Sequence, residues 1–284
     1  MGSCEGKVAF VTGASRGIGR AIAQRFAAEG ASVVVSASRE GAHGKLPGTL
    51  AETVSSIQAA GGKAAAIACD LADAAARADL IERASAAFGP IDILVNNAAA
   101  GRMVMPSQAT LADRTLLFDV NVNAPVDLAQ QALPSMKQRG GGWILNISSA
   151  TSTQPEVPYR DSKPAAWIIG PYGASKAALD RYTTALADEV AEHDVFVNAL
   201  APVAIVLTQG ADYVRDIARK NPDMAEPVEM MAEAALELCT GRHVGQVVTS
   251  RGILHAVGRK VRSLDGRHEL GDAFLPADVE APSA

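Results

Sequence analysis

The sequence predicts an α/β fold built on one doubly wound parallel sheet with helices on both faces. Short apolar segments alternate with helical segments from the first residues onward, and they are continuous runs, as in strands buried on both faces. Hydrophobic residues make up 48% of the 284 residues but aromatic residues only 4%, which predicts a core of small and aliphatic side chains. The unbroken alternation predicts one domain over residues 1–262, followed by a polar C-terminal tail over residues 263–284.

The predicted strands are compact runs rich in Val, Ile and Ala that are bounded by turn residues. They are Val8–Thr12, Ser32–Ser36, Ala64–Ala68, Ile91–Asn96, Trp143–Ile147, Val195–Ala199 and Val244–Val248. The predicted helices carry apolar residues three or four positions apart, and several of them end at glycines. The first contains Ile22 and Phe26 and ends at Gly30, and the others are Thr49–Ala60, Asp73–Phe88, Leu111–Arg139, Pro171–His193, Ala211–Lys220 and Glu226–Cys239.

Charge and cysteine content exclude several classes of protein. The net charge is −5, so we expect no general attraction to nucleic acids or anionic membranes. The three cysteines form no CxxC pair and the five histidines lack ligand spacing, so neither a disulfide framework nor a metal site is expected. No apolar run reaches the roughly 18 residues of a membrane span, and the N-terminus lacks the apolar stretch of a signal peptide. These features predict a cytoplasmic protein.

A glycine-rich turn follows the first predicted strand and opens the first helix. It runs from Thr12 to Gly19, with its glycines spaced G-x-x-x-G-x-G. Glycines let a backbone turn tightly and approach a pyrophosphate, which then lies at the helix N-terminus. The position between a strand and a helix favours a dinucleotide site over a plain loop. The residues expected to bind the cofactor here are Gly13, Ser15, Arg16, Gly17, Ile18 and Gly19.

The end of the second strand indicates which dinucleotide is bound. A site for NAD(H) usually has a carboxylate there for the ribose hydroxyls. This chain has Ser38 and Arg39 instead, and the first acidic residue is Glu40. Arg39, together with Arg16, could hold a 2′-phosphate by charge-assisted hydrogen bonds. The sequence therefore favours NADP(H), while NAD(H) and a role as ordinary surface arginines stay open as alternatives.

Two Tyr-x-x-x-Lys patterns occur, Tyr172–Lys176 and Tyr159–Lys163. Residues four apart are neighbours on a helix, where a lysine ammonium lowers the pKa of the tyrosine and makes it a usable general acid and base. Pro164 directly follows the second pattern and is expected to keep its lysine out of helical geometry, whereas Pro171 suits the start of a helix. The sequence therefore favours the first pattern.

Together these motifs resemble the short-chain dehydrogenase/reductase family. The other matching segments are Asp70 after the third strand, Asn96–Ala99 at the fourth, Asn121, and Ser148–Ser149 after the fifth, in the family's order over about residues 7–250. The resemblance implies a Rossmann-type sheet of about seven strands and hydride transfer between a nicotinamide and a carbonyl or alcohol. It also implies a homodimer or homotetramer, formed through the helices near residues 111–139 and 171–193.

The resemblance also implies roles for individual catalytic residues. Tyr172 would protonate the carbonyl oxygen or deprotonate the alcohol, and Lys176 would lower its pKa and bind the nicotinamide ribose. Ser149 would hydrogen-bond the substrate oxygen, and Asn121 would hold a water that relays protons toward Lys176. These four side chains form the expected catalytic set.

On the cofactor side, the resemblance places Asp70 at the adenine amino group and has Asn97 position the backbone on the cofactor side. Leu71, which follows Asp70, is also expected to bind the cofactor. Local structure offers an alternative for two of them. Asp70 at a strand end also suits an Asx turn, and Asn97 also suits a loop-capping amide. Both alternatives stay open.

The chain departs from the family at several places. Ala99 stands where the family has glycine, the expected Pro-Gly is Pro202–Val203, and Thr208 lies somewhat far from that proline for its expected carboxamide contact. Insertions at Glu40–Pro47 and Thr151–Gly170 resemble those of the hydroxysteroid-dehydrogenase-like subgroup. The second insertion is either a lid or wall for a bulky apolar substrate or a packed surface insertion or oligomer contact.

The sequence thus predicts an oxidoreductase that transfers a hydride between NADP(H) and a ketone or secondary alcohol, with Tyr172 as general acid and base. The expected partner is a small molecule, and neither nucleic acid nor membrane is expected. Two alternatives stay open: a nucleotide-binding regulatory or scaffold protein on the same fold, and an isomerase or dehydratase that uses Tyr172 as its acid. The presence of the whole expected catalytic set favours an oxidoreductase over the regulatory protein.

Overall fold

The computed structural model describes residues 2–41, 47–153, 157, 163–203, 205–206, 208 and 225–271 of the chain. Its strands are β1 (Val8–Val11), β2 (Ser32–Ala37), β3 (Lys63–Ala68), β4 (Ile93–Asn96), β5 (Gly142–Ile147), β6 (Val195–Ala201), β7 (Ile205–Val206), β8 (Ala225–Glu226), β9 (Val247–Thr249), β10 (Val261–Arg262) and β11 (Glu269–Gly271). In the described segments, seven of them form a parallel sheet in the order β3-β2-β1-β4-β5-β6-β9. The predicted doubly wound parallel sheet is confirmed.

The strand order reverses at β1, which lies between β2 and β4. In open α/β sheets, ligands bind in the crevice at the carboxyl ends of the strands beside such a reversal. The glycine-rich turn leaves the sheet from the end of β1, and so it lies at this crevice. The two short pairs, β7 with β8 and β10 with β11, stand outside the main sheet.

The helices cover both faces of the sheet, and several begin with a local capping signal. They are α1 (Gly17–Ala28), α2 (Leu50–Ala59), α3 (Ala74–Arg77), α4 (Leu80–Phe88), α5 (Leu111–Phe118), α6 (Ala124–Arg139), α7 (Lys163–Val190), α8 (Val228–Leu238) and α9 (Ser250–Val257). Capping boxes at Thr49 and Thr110 start α2 and α5. None of the helices in the described segments combines the length and the apolar character that crossing a bilayer requires.

An apolar core lies on each face of the sheet. On one face, Ile22 and Phe26 of α1 belong to the same buried cluster as Met231 of α8. On the other face, Phe10 of β1 shares a cluster with Leu128 of α6 and with residues of α4 and α7. Most buried apolar side chains are Ala, Val, Ile and Leu, as the composition predicts. The helices therefore approach the sheet closely.

Helix α7 begins earlier than the sequence predicts. It starts at Lys163 rather than at Pro171, which lies inside the helix. The expectation that Pro164 would keep the preceding residue out of helical geometry is wrong, because a proline in the first turn lacks only an N–H that has no intrahelical partner there. A tertiary contact supports these added turns, since the backbone N–H of Val104 donates to the carbonyl oxygen of Ile168 at 3.1 Å.

The C-terminal region folds beyond the predicted domain boundary. Strands β10 and β11 pair as an antiparallel hairpin that reaches Gly271, so the boundary at residue 262 falls inside it. The Arg259 guanidinium donates to Glu233 at 2.7 Å and to Glu237 at 2.8 Å. The division into a domain and a tail stays a prediction. Residues 272–284 and the predicted helix at 211–220 lie outside the described residues.

Candidate active site

The glycine-rich turn between β1 and α1 has the backbone shape of an anion cradle. Gly13 and Gly17 have φ angles of 65° and 56°, a region where a side chain would be strained. Helix α1 has no side-chain hydrogen bond at its N-cap and no acidic residue in its first turn. Its N-terminal N–H groups and its dipole therefore favour an anion at this end. These features fit the pyrophosphate of a dinucleotide.

Asn97, which follows β4, fastens this turn to the sheet. Its Nδ2 donates to the carbonyl oxygens of Thr12 at 2.8 Å and Gly13 at 3.2 Å. Thr12 Oγ1 accepts in return from the backbone N–H groups of Asn97 and Ala98, each at 3.0 Å. These bonds anchor the beginning of the turn to the residues that follow β4. A direct contact between Asn97 and the cofactor stays a prediction.

The residues expected at the adenosine end follow β2 and β3, which are neighbours in the sheet. Ser38 and Arg39 are exposed after β2. Asp70 is exposed after β3, and its Oδ1 accepts from the backbone N–H of Ala72 at 3.0 Å, as in the Asx turn that the sequence leaves open. Leu71 is buried. The structure therefore brings these four residues to one edge of the sheet, while their contacts with a cofactor stay predictions.

Tyr172 and Lys176 lie one turn apart on α7, at the centre of the candidate site. Lys176 is only 2% exposed, and its Nζ donates to the carbonyl oxygen of Ile147 at 2.7 Å. The same Nζ lies 5.9 Å from the centre of the Tyr172 ring. Burial lowers the pKa of Lys176 to about 8, and the nearby carboxylate of Asp180 opposes this shift. A cation at this distance favours the ionised form of a phenol.

Ser149 follows β5 and has its hydroxyl oriented by a neighbour. Its Oγ accepts from the backbone N–H of Thr151 at 3.2 Å and from Thr151 Oγ1 at 2.9 Å. With two donors on its oxygen, Ser149 can still donate its own proton to an acceptor in the cleft. Ser148 lines the same cleft, and its buried Oγ has no hydrogen-bond partner among the described residues. Both hydroxyls therefore suit a ligand that carries oxygen atoms.

Asn121 lies in a π-helical turn, Asp119–Asn123, that joins α5 to α6. Its side chain is fully buried, donating to the carbonyl oxygen of Ala100 and to Ser175 Oγ, each at 2.9 Å, and accepting from the Ala100 N–H at 2.8 Å. Ser175 directly precedes Lys176 on α7, so Asn121 links the residues after β4 to α7. Its expected role in holding a water stays a prediction.

The motifs converge on one cleft of about 390 Å³ at the carboxyl ends of the strands. The predicted residues that line it are Gly13, Arg16, Ile18, Asn97, Ser149, Tyr172 and Lys176. The predicted residues that lie outside its lining are Ser15, Gly17, Gly19, Ser38, Arg39, Asp70, Leu71 and Asn121. Lining residues that were not in the predicted set are Ala99, Ile147, Ser148, Pro202, Val206 and Thr208. The alternative tyrosine, Tyr159, lies outside the described residues.

The described segments contain no group of three or more His, Cys, Asp or Glu side chains placed to hold a metal ion. The fit to a nicotinamide dinucleotide is better supported. The cradle at the start of α1 suits its phosphates, and the buried Lys176 and the two serine hydroxyls suit the oxygen-rich groups at the other end of the cleft.

The chain is similar in sequence to known proteins. The family model for short chain dehydrogenases matches residues 7–218. Hydroxysteroid dehydrogenase-like protein 2 of Xenopus laevis is 33% identical over 291 residues, covering 98% of this chain and 66% of the relative. The chain therefore spans just under two thirds of the length of that relative.

Solved structures with the same architecture contain nicotinamide cofactors. A 3-oxoacyl (acyl-carrier-protein) reductase from Agrobacterium tumefaciens with NADP bound is 33% identical, with a TM-score of 0.73 over 87% of this chain and 93% of that one. A 7α-hydroxysteroid dehydrogenase complexed with NADH and 7-oxo glycochenodeoxycholic acid is 32% identical, with a TM-score of 0.75 over 87% and 93% of the two chains.

Proposed function

The chain belongs to the short chain dehydrogenase family of NAD(P)-dependent oxidoreductases, and from this premise we propose that it interconverts a ketone and a secondary alcohol with NADP(H). The observation that carries the proposal is the buried Lys176 ammonium beside Tyr172, in a cleft that also contains Ser149 and part of the phosphate-binding turn. One related structure holds NADP and another holds a steroid with a 7-oxo group, which is a ketone.

In the proposed reduction, NADPH supplies the hydride when it is bound. The Tyr172 hydroxyl donates its proton to the carbonyl oxygen, which becomes the alcohol hydroxyl. Ser149 donates a hydrogen bond to the same oxygen and stabilises the negative charge that develops on it. Lys176 favours the phenolate that Tyr172 becomes, because its ammonium lies close by in a poorly solvated place. In the oxidation, this phenolate accepts the proton of the alcohol.

Replacing Tyr172 tests the proposed chemistry. We expect Tyr172→Phe to lower kcat by about 10²- to 10⁴-fold, the usual contribution of a positioned acid, while the Kd for NADPH stays within about threefold. Reduction of cyclic ketones, 7-oxo steroids and 3-oxoacyl thioesters would be followed by NADPH absorbance. Tyr182→Phe is the matched control, because Tyr182 is a half-buried tyrosine on the same helix.

Two results would contradict this assignment. Equally negligible rates for the wild type and Tyr172→Phe across the whole panel would argue against an enzyme and for the regulatory alternative. Turnover of a substrate without net oxidation of NADPH would argue for an isomerase or dehydratase.

The proposed preference for NADP(H) rests on the residues at the end of β2. Ser38 and Arg39 follow β2 where an NAD site has a carboxylate. We expect wild type to bind NADPH about tenfold or more tightly than NADH, as a charged hydrogen bond allows. Arg39→Ala should shrink this difference by weakening NADPH alone, whereas Arg181→Ala, an exposed arginine on α7, should leave it unchanged. Equal affinities in the wild type, measured by titration calorimetry, would contradict the preference.

A further inference from the structure

Glu226 is a buried carboxylate near the cleft that the proposed reaction does not use. It lies on β8 and is 1% exposed. Burial raises its pKa, although hydrogen bonds from Ser250 and from the backbone of Val203 and the charge of Arg251 oppose the shift. A carboxylate in such a place destabilises the fold unless its partners compensate. The groups that compensate this buried carboxylate are therefore the place to look for its role.

One hydrogen-bond partner of Glu226, Val203, belongs to the chain that leaves β6 and borders the cleft. We refer to four residues of this chain, Pro202, Val203, Val206 and Thr208, as the post-β6 residues. Three of them line the cleft. Thr208 also lies beside the glycine-rich turn. A Cβ atom built on Gly17 would be 3.7 Å from Cγ2 of Thr208. The post-β6 residues thus extend from the end of β6 to the cradle that fits the pyrophosphate.

Glu226 holds the post-β6 residues at two points. Its side chain accepts the backbone N–H of Val203 at 3.2 Å. Glu226 also lies opposite Val206 in the parallel pair of strands β7 and β8. A single residue therefore fixes both a main-chain donor and a strand position within the segment that borders the cleft.

Ser250 in turn fixes the carboxylate of Glu226 to the main sheet. Its Oγ lies 2.9 Å from Oε1 and 2.7 Å from Oε2, and the serine is fully buried at the start of α9. Helix α9 directly follows β9, which pairs with β6. The chain of contacts therefore runs from a fixed edge of the sheet, through Ser250 and Glu226, to the chain beside the cleft.

We propose that Glu226 is a positioning residue that holds the post-β6 residues against the cofactor cleft, so that the affinity for NADPH depends on it. This inference rests on the proposed function. Glu226 is not itself a lining residue of the cleft and has no place in the proposed proton transfer, so we expect its effect to fall on cofactor binding rather than on the chemical step. A residue that only stabilised the fold would lower stability without changing the Kd of the folded protein.

Two substitutions of Glu226 distinguish a role in positioning the post-β6 residues from the general effect of removing a buried side chain. Glu226→Ala leaves the Val203 N–H without its acceptor, and we expect the Kd for NADPH, measured by calorimetry, to rise about 5- to 50-fold. The KM for NADPH should rise with it, while kcat at saturating cofactor stays within about threefold. Glu226→Gln should restore the Kd to within about threefold of wild type, because its carbonyl accepts from Val203 and its amide donates to Ser250.

A second measurement works without turnover or cofactor. Hydrogen exchange in peptides that contain Val203 should be faster in cofactor-free Glu226→Ala than in the wild type. Glu237→Ala is the matched control, because this acid is also bonded to two side chains but lies on α8 away from the cleft. It should lower the Tm without changing the Kd for NADPH or the exchange of Val203.

The outcomes distinguish this inference from the proposed function. If the wild type binds NADPH and Glu226→Ala binds it equally well, the positioning role is overturned while the proposed function stands. If Glu226→Gln is as weak as Glu226→Ala, hydrogen bonding to Val203 is not what matters, and the inference is also overturned. If the wild type does not bind NADPH, the proposed function itself fails, and with it the link from Glu226 to cofactor affinity.

Discussion

Lys176 shows at the scale of one residue how the site works against the stability of the fold. Its ammonium is 2% exposed, and burial lowers its pKa from the ordinary 10.5 to about 8. Below pH 8 the lysine is charged in both the folded and the unfolded chain, so the folded state bears the full penalty of burying the charge. Above about pH 10.5 both forms are neutral and the penalty disappears. This residue therefore makes the protein more stable as pH rises from 8 to 10.5.

Lys176→Met tests this trade between stability and function. We expect the variant to gain about 1–3 kcal/mol in free energy of unfolding at pH 7, the burial penalty less the lost hydrogen bond to Ile147. It should lose turnover, because no cation then favours the Tyr172 phenolate. Urea denaturation of the cofactor-free protein at pH 7 and pH 10 measures the effect, and the gain should shrink at the higher pH.

The exposed Lys63 supplies the control for this prediction. Lys63→Met should change the free energy of unfolding by no more than about 0.5 kcal/mol at either pH. A Lys176→Met variant that is less stable than the wild type at pH 7 would show that the hydrogen bond to Ile147 outweighs the buried charge.

Site residues could be predicted from the sequence where their chemistry is local. Tyr172 and Lys176 are one helical turn apart, and the glycine spacing of the turn after β1 is contiguous, so both patterns are visible in a few residues. Glu226 carries no such signal, and Thr208 is indicated only by the family resemblance. The folded structure alone brings Glu226 to Ser250 and places Thr208 near Gly17, which are far apart along the chain.

The same contrast holds for whole elements. Helix α2 was predicted as Thr49–Ala60 and is observed at Leu50–Ala59 with Thr49 as its N-cap, because a capping box is encoded within four residues. The start of α7 was not predicted correctly. The hydrogen bond between Val104 and Ile168 that accompanies its first turns is a tertiary contact, which no local pattern shows. Pro164 does not oppose this start, because a proline in the first turn lacks only an N–H that has no intrahelical partner there.

The π-helical turn between α5 and α6 is a further element that periodicity does not show. The stretch Leu111–Arg139 was predicted as continuous helix, and it is continuous except that Asp119–Asn123 is wound more widely. Asn121 lies in this turn and exchanges two hydrogen bonds with the backbone of Ala100. Such turns occur frequently at functional sites, and this one places the buried amide of Asn121 against Ser175 of α7.

At the scale of the whole molecule, the sequence pattern predicts the sheet but does not predict how the C-terminal region attaches to the rest of the fold. Continuous apolar strands separated by helices restrict the topology to a doubly wound sheet, which is what the structure contains. The polar residues after Val257 give no apolar pattern. Five charged side chains instead connect this region to α1 and α8, and we refer to them as the C-terminal ion network: Arg25, Glu29, Glu233, Glu237 and Arg259.

The C-terminal ion network is centred on a buried carboxylate. Glu233 is 1% exposed and accepts from Arg25 at 3.1 Å and from Arg259 at 2.7 Å. Arg25 is also 1% exposed, so this part of the network is shielded from water. Removing one partner of a buried carboxylate leaves charge uncompensated, which is far more costly than removing a surface pair.

Arg259→Ala should therefore destabilise the protein more than the loss of an ordinary surface arginine. We expect a loss of about 1–3 kcal/mol in free energy of unfolding, less than for a fully buried pair because Arg259 is itself 27% exposed. Arg242→Ala is the control: it removes an exposed pair with Asp194, where 74% and 53% of the side chains are accessible, and should cost less than about 1 kcal/mol. Urea denaturation at pH 7 compares the two, and equal losses would mean that the network does not hold the C-terminal hairpin to α8.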